Sequence, residues 1–353
     1  MSFAAAALVD FATQALGRAG MDNQAGTVAQ ILVEADLMGH DTHGLALLPA
    51  YVDALLAGTM QGTGKPEVLR DHGAVAHWDG RWLSGVSLVA AAIDVAADKA
   101  ERLGIGAVSI SRAHHTACLQ AYLERATRRG LMVIIASSDP ASKSVAPFGG
   151  LDAVFGPDPI AVGIPSRGDP VLIDMSSSIT TNGMVARTAA EGTRLKGEWV
   201  QDHHGNPSDD PSVVTADPRG SLLLAGGLDH GHKGYGLALT VEALSQGLSG
   251  YGRLNAEPRW SASVFVQVLD PKAFAGAEAY ADQTEHLVSL CRGSRPRADM
   301  AAVRLPGEKA LTLKRVALVE GICPRLRTLE QLKTMADKLD IHFPQQAPPV
   351  HGL

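Results

Sequence analysis

Apolar positions along the chain change period several times, and each change predicts an element. Over residues 3–57 they recur every three or four residues. "ALVDFATQAL" and "VAQILVEADL" read as helices, and "LLPAYVDALLAG" as a third that ends at Gly58. "PEVLRDHGAVAHWDG" reads as a hairpin turning at His72-Gly73. The Ala-rich helix "SLVAAAIDVAADKAERLG" is followed by the buried strand "AVSIS", a helix over "CLQAYLERATRRG" and a second strand, "LMVIIASS". Gly, Pro and Asp then punctuate short strands in "APFGG", "FGPDPIAVGIP" and "PVLIDMSSS". Residues 182–230 have little periodicity and many turn formers, so long loops are expected there; such loops in a compact protein usually carry function. "KGYGLALTVEALSQGL" is a helix entered through glycines, "SASVFVQVLD" a strand, and residues 277–291 and 308–340 are helical again. The pattern predicts an α/β fold in which helices from both ends of the chain surround a central layer.

Composition narrows the class. The 353 residues are 46% hydrophobic and 19% charged, which suits a globular chain long enough for about two domains. A net charge of −6, no basic run and only 5% aromatic residues argue against a nucleic-acid partner. No run approaches a membrane span. "MSFAAAALVDFATQALGRAG" lacks a basic leader and is broken by Asp10, so it reads as an amphipathic helix rather than a signal peptide. Cys118, Cys291 and Cys323 are few, odd in number and widely spaced, which points to a reducing cytoplasm and neither a disulfide framework nor a zinc knuckle.

The central α/β pattern invites a nucleotide, yet GxGxxG is absent. "LGIGAVSIS" has Ser109 at the third glycine position and precedes a strand instead of following one; there is also no P-loop and no HExxH. Three readings are open for "EADLMGHDTHG". Asp36, His40 and His43 would share one face of a continued helix and could ligate a divalent ion. Alternatively, Gly39 and Gly44 bracket a helix end at which His40 and Asp41 satisfy backbone groups. Or a histidine here is a general acid or base. His114-His115 directly follow the strand "AVSIS", where side chains commonly face a ligand crevice; the plain alternative is a solvated loop. In "GGLDHGHKGYG", Lys233 sits among glycines at a helix entry, a place for a phosphate or carboxylate contact or for a merely solvated lysine, and "RLPGE" (304–308) reads as a strand-to-turn step.

In order along residues 30–325, these pieces resemble the malate/L-lactate dehydrogenase family of nicotinamide-dependent oxidoreductases, a group distinct from the Rossmann enzymes. "GHDTHGLALLPAYVDALLAG" is similar to the signature GHDSHGVxRLPxYVxxLxxG, "SRAHHTA" to NSNHFGA, and "VAPFGG" with "FGPDPIAVGIP" to VAPWGG with LGTNPIAxGxP; "VLIDMSSS", "GGLDHGHKGYGLALTVEAL" and "RLPGE" continue the series. The resemblance implies a non-Rossmann cofactor domain, residues 76–276, with a mixed, largely antiparallel sheet. It also implies a helical domain from both termini, residues 1–75 and 277–353, a homodimer, and NAD or NADP as cofactor. Carried over position by position, His43 and His114 are the acid/base candidates, with Thr42 beside the first in place of serine. Tyr51 matches a substrate-pocket residue. His114, Ser138, Asp174, Met175, Ser176, Ser177, His232, Lys233, Arg304, Pro306, Gly307 and Glu308 match cofactor-contacting segments. The chemistry needs no metal. It needs a proton delivered to the alkoxide that forms as hydride reaches carbon, which a histidinium supplies.

Four departures bear on the substrate. Leu47 replaces the signature arginine, His115-Thr116 replace Phe-Gly, Asp158 stands at an asparagine position, and Met184 stands where some members carry an acidic residue. Lys143, Arg187 and Arg194 are the cations that could replace the arginine at the substrate. The expected substrate is a small 2-hydroxy or 2-keto acid, or a cyclic imino acid. The competing readings are a metal-dependent hydrolase using Asp36, His40 and His43, and a member that binds a metabolite without turning it over.

Overall fold

A computed structural model describes residues 1–347; residues 348–353, the tail of the helical unit expected over 277–353, lie outside the described residues. Helices α1 (Ala5–Arg18), α2 (Ala25–Leu37) and α3 (Leu48–Leu56) open the chain. The hairpin β1 (Glu67–His72) and β2 (Val75–Asp79), helix α4 (Gly85–Leu103) and strand β3 (Ile105–Ala113) follow. After a short helix α5 (Glu124–Thr127) come β4 (Met132–Ser138), β5 (Ile160–Ile164) and β6 (Val171–Met175). Helix α6 (Asn182–Ala190) leads to three two-residue strands, β7 (Val200–Gln201), β8 (Pro207–Ser208) and β9 (Ser221–Leu222). The chain then forms α7 (Gly227–His230), α8 (His232–Glu242), β10 (Ala262–Leu269), α9 (Ala277–Gly293), α10 (Glu308–Glu320) and α11 (Leu326–Leu339).

Seven strands form one sheet in the order β1-β2-β3-β10-β4-β5-β6, and only β2 and β3 run parallel; β8-β7-β9 form a small second sheet. The mixed, mainly antiparallel α/β architecture matches the expected fold. Period-two alternation gives the large sheet two apolar faces. Val264, Val266 and Val268 of β10 join Val108 and Ile110 of β3 on the face covered by α4, while Phe265 and Ala107 meet Val241, Leu237 and Leu244 of α8 and its extension on the other. The helices from both chain ends share the first core. Leu8, Phe11 and Leu16 of α1, Val28 and Leu32 of α2, and Leu329, Leu332 and Met335 of α11 repeat at helical spacing and are buried together. Each such side chain contributes roughly 1.5–3 kcal/mol relative to exposure. Among the described residues, no helix is long and apolar enough to cross a membrane.

Four local expectations need correction. "CLQAYLERATRRG" is not one helix; a tight turn over Leu119–Tyr122 precedes the four-residue α5, because Gln120 is drawn to β6 by its backbone N–H on Asp174 Oδ2 (2.8 Å) and its side chain on Leu172 O (2.8 Å). "APFGG" is not a strand; only Val145 before it pairs, through single bridges to Phe155 and Leu222. Residues 182–230 are not simply loops but hold α6, capped by Thr181 Oγ1 accepting from Met184 N, and the small sheet. "RLPGE" follows no strand; it is the turn into α10, packed along edge strand β6 by Pro306 O accepting from Leu172 N (3.1 Å).

Candidate active site

The pairing register sets the position of the site. Ala113 lies opposite Ala262, Ser138 opposite Ser263, Ala136 opposite Ile160, and Ile160 opposite Met175. The ends of β3, β4 and β6 and the starts of β5 and β10 therefore share one end of the sheet. His114 and His115 leave β3 there, Trp260 enters β10 there, and the terminal helices bring up His43 and Tyr51.

These side chains form one group. Thr42 Oγ1 lies 2.8 Å from His43 Nδ1, and Tyr51 Oη lies 2.8 Å from His115 Nδ1. The His115 ring stacks on Trp260 (centroids 4.7 Å apart, planes 21° apart) and runs near-parallel to His43 at 6.3 Å. His114 meets the edges of Tyr51 and Trp260 at 5.9 and 5.7 Å. Leu47 is half-buried four residues before Tyr51, in the tight turn that enters α3, and packs against the large apolar core. The α6 N-terminus closes the His43 side, since a Cβ at Gly183 would lie 3.7 Å from Thr42 Cβ and 4.0 Å from His43 Cε1.

Burial dominates the electrostatics. It lowers His43 below the usual histidine range, pushes His114 down to about 4 with help from Arg259, and pushes His115 down to about 3 with help from its neighbouring imidazoles. All three rings are neutral at pH 7. Burial likewise raises Tyr51, which stays a phenol.

The metal arrangement fails on geometry. Helix α2 ends at Leu37 and Gly39 turns left-handed (φ 82°), so Asp36, His40 and His43 no longer share a helical face. Asp36 Oδ2 accepts from Leu45 N (2.9 Å), His40 Nε2 pairs with Gln120 Oε1 (2.6 Å), and His43 pairs with Thr42. The Asp36 carboxyl, pushed up to about 7 by burial against the pull of the Leu45 N–H, ties the loop to α2.

His114 aside, the residues matched to cofactor segments fall into three places. Met175 and Ser176 end β6, next to buried Ser177, whose backbone O accepts from Ala225 N just ahead of α7 and α8. Close packing of Gly234 against Ser177 O draws the start of α8, with exposed His232 and Lys233, to this strand end. Ser138 is buried at the end of β4, donating to Glu242 Oε1 (2.7 Å) and accepting from Gln246 Nε2 (2.7 Å). Asp174 holds the Cys118–Gln120 turn, and Arg304 to Glu308 lie along the outer edge of β6, where Glu308 accepts from Leu305 N and Arg292. Of the three candidate cations, Arg187 is held beside the His43 loop by Asp41 (3.1 Å). Arg194 pairs with Asp209 (2.6 Å), and Lys143 is exposed.

A profile of the malate/L-lactate dehydrogenase family matches residues 3–333. The chain belongs to that family. Similar to it are an L-sulfolactate dehydrogenase of Methanothermobacter thermautotrophicus, 29% identical over 90% of both chains, and a Δ1-pyrroline-2-carboxylate/Δ1-piperideine-2-carboxylate reductase of Pseudomonas syringae pv. tomato, 30% identical over 88% of this chain and 90% of that one. The crystal structure of a malate dehydrogenase from Entamoeba histolytica superposes with a TM-score of 0.92 at 24% identity, covering 98% of this chain and 99% of that chain, a likeness of fold. Like its relatives, this malate/L-lactate dehydrogenase family member is an oxidoreductase acting on CH–OH or C=N groups.

Two features were not drawn from the sequence. Trp260 stacks in the histidine group, although only the β3–β10 pairing, invisible in a single chain, brings it there. Asp41 is held between Arg187 and Arg325, joining α6 and α11 to the His43 loop; a charged residue inside "HDTH" was its only sign. The structure also explains the Asp158 departure from the family signature. Its carboxyl is 1% exposed, and burial together with nearby Glu242 pushes its pKa well up despite Arg253, a shift toward the uncharged form that an amide has at that position.

Proposed function

We propose that the protein transfers hydride between a nicotinamide dinucleotide, NAD or NADP, and a 2-hydroxy/2-keto acid or cyclic imino acid, with His43 as proton donor and acceptor. The observation that carries this reading is the Thr42–His43 contact beside the packed rings of Tyr51, His114, His115 and Trp260, the group taken as the wall of a substrate cleft. In a proton cycle at Nε2 the ring alternates between the Nδ1–H tautomer and the cation, and Thr42 Oγ1 accepts from Nδ1–H in both, which keeps Nε2 as the site of transfer. His114 suits the role less. It is 1% exposed and its Nδ1 is sealed without a partner among the described residues, leaving none of them to steady a proton there; a contact to the bound cofactor or substrate suits it better.

The residues fit a dinucleotide. His232 and Lys233 are exposed on the first turn of α8, without an ion-pair partner among the described residues, beside the Ser176–Ser177 turn; cations and free N–H groups at a helix start suit phosphates. When bound, the nicotinamide supplies or takes the hydride. Lys233 then holds negative charge by a charge-assisted contact. Lys233→Ala is expected to weaken NADH or NADPH binding by about tenfold at low salt, the lower end for such a contact at an exposed position. Fluorescence titration checks this, and an unchanged dissociation constant means that the lysine is only solvated.

The acceptor end of the cleft favours a single carboxylate. Leu47 has no charge to offer a second one, and an apolar surface disfavours a bare carboxylate. Arg187 is already engaged by Asp41, which it shares with Arg325. Stacked rings and Leu47 suit a monocarboxylic or cyclic substrate. Leu47→Arg is expected to raise kcat/KM for oxaloacetate by about tenfold, through the bidentate grip that a guanidinium supplies. If the wild-type enzyme already prefers oxaloacetate to every monocarboxylate offered, this reading of Leu47 is wrong.

A further inference from the structure

We infer that His115 determines substrate specificity: its Nε2–H is a fixed donor that grips an acceptor oxygen of the substrate beside His43. The inference rests on the proposed reading of the His43 cleft. Two observations fix the proton. His115 Nδ1 lies 3.3 Å from Ala117 N, and a backbone N–H can only donate. On the Ala117 contact Nδ1 is the acceptor and the ring proton sits on Nε2; the Tyr51 hydroxyl, 2.8 Å from Nδ1 and 3.4 Å from His115 O, then turns its proton to Nδ1, the nearer of the two. The stack on Trp260 sets the ring plane, and the two donors to Nδ1 set its roll.

Among the described residues Nε2 itself has no hydrogen-bond partner, and it is absent from the sealed, unpartnered side-chain atoms of which His114 Nδ1 is one, so it is not sealed off. The titratable groups that face His115 are His43, His114 and Tyr51, and none is an anion at neutral pH. The ring therefore remains a neutral donor while His43 takes up and releases its proton. One neutral N–H satisfies a single carboxylate or ketone oxygen. It brings no charge for a second carboxylate, in keeping with Leu47. The Phe of the family signature would fill the same volume and could not make this bond.

Two replacements separate this role from a structural one. His115→Asn places a side-chain oxygen near the Nδ1 position, able to accept from Tyr51 and Ala117, but has nothing at Nε2. His115→Gln reaches the Nε2 position with an N–H and loses the acceptor. With pyruvate and Δ1-piperideine-2-carboxylate as probes, His115→Asn is expected to raise KM about tenfold or more. His115→Gln should keep KM within about threefold. NADH affinity, which rests on the start of α8, should change little in either. The reverse order, Asn normal and Gln impaired, would show that His115 only holds Tyr51; two normal variants would show no role. Nitrogen NMR of 15N-histidine-labelled wild-type protein, with His115→Asn identifying the signal, should find the proton on Nε2 between about pH 6 and 8. A proton on Nδ1 or a charged ring overturns the inference independently of turnover. If wild-type protein oxidises neither NADH nor NADPH with any substrate, the reading of the cleft fails instead.

Discussion

Replacing His43 by alanine is expected to lower kcat by roughly 10²–10⁴-fold, the usual worth of a positioned general acid or base, while the dissociation constant for NADH or NADPH stays unchanged. The split follows from the geometry. His43 stands with Thr42, Tyr51 and the stacked rings, whereas His232 and Lys233 stand at the start of α8. An interaction made only with the reacting oxygen or nitrogen shows in kcat and not in cofactor binding. Near-normal kcat in the variant would refute the assignment, and a large loss in His114→Ala alone would move it to His114. The pH profile has a defined sign. Burial, with His40 close by, lowers the pKa of His43, so the free enzyme holds a neutral base at pH 7. Oxidation of the hydroxy acid needs that base; its kcat/KM should be flat through neutrality and fall only below the ordinary histidine value of about 6.5. Reduction needs the protonated form, so its kcat/KM should rise as pH falls through the same range.

Gly44→Ala is expected to destabilise the protein by about 1–3 kcal/mol, the usual cost of forcing an extra carbon into a packed site, and to lower kcat as well. A Cβ at Gly44 would overlap the Asp36 carboxyl, which accepts from Leu45 N and fixes the His43 loop to α2. Either Asp36 yields and frees the loop, or the loop moves and carries His43 away from Tyr51 and His115. Urea unfolding reads the first effect and steady-state kinetics the second. Wild-type stability together with wild-type kcat would show that the Asp36–Leu45 tie does not position His43.

Where a single period ran unbroken, the sequence was enough. The spacing of Leu8, Phe11 and Leu16 foretold α1, and "AVSIS" foretold the strand whose end delivers His114. Helix α6 was hidden because it begins with Asn182-Gly183, a turn dipeptide, and its helical state depends on the Thr181 cap and on packing beside the His43 loop. The segment 118–130 has helical spacing, yet tertiary hydrogen bonds from Gln120 to β6 break it. The metal reading assumed that α2 continues through His43, and Gly39 ends that assumption. Local pattern named His43, Tyr51 and His114 as separate candidates through the family resemblance. Their convergence with His115 and Trp260 depends on β3 lying next to β10, a pairing about 150 residues apart in the chain that no local pattern encodes.

The central claim, nicotinamide-dependent hydride transfer with His43 as the acid/base group, is tested most directly by following NADH and NADPH oxidation with a panel of 2-keto acids and cyclic imines in excess chelator. The account predicts turnover of at least one monocarboxylic or cyclic substrate, faster than with oxaloacetate, unaffected by the chelator and lost in His43→Ala. No oxidation of either cofactor across the panel, or an activity removed by chelator and restored by zinc, would contradict it.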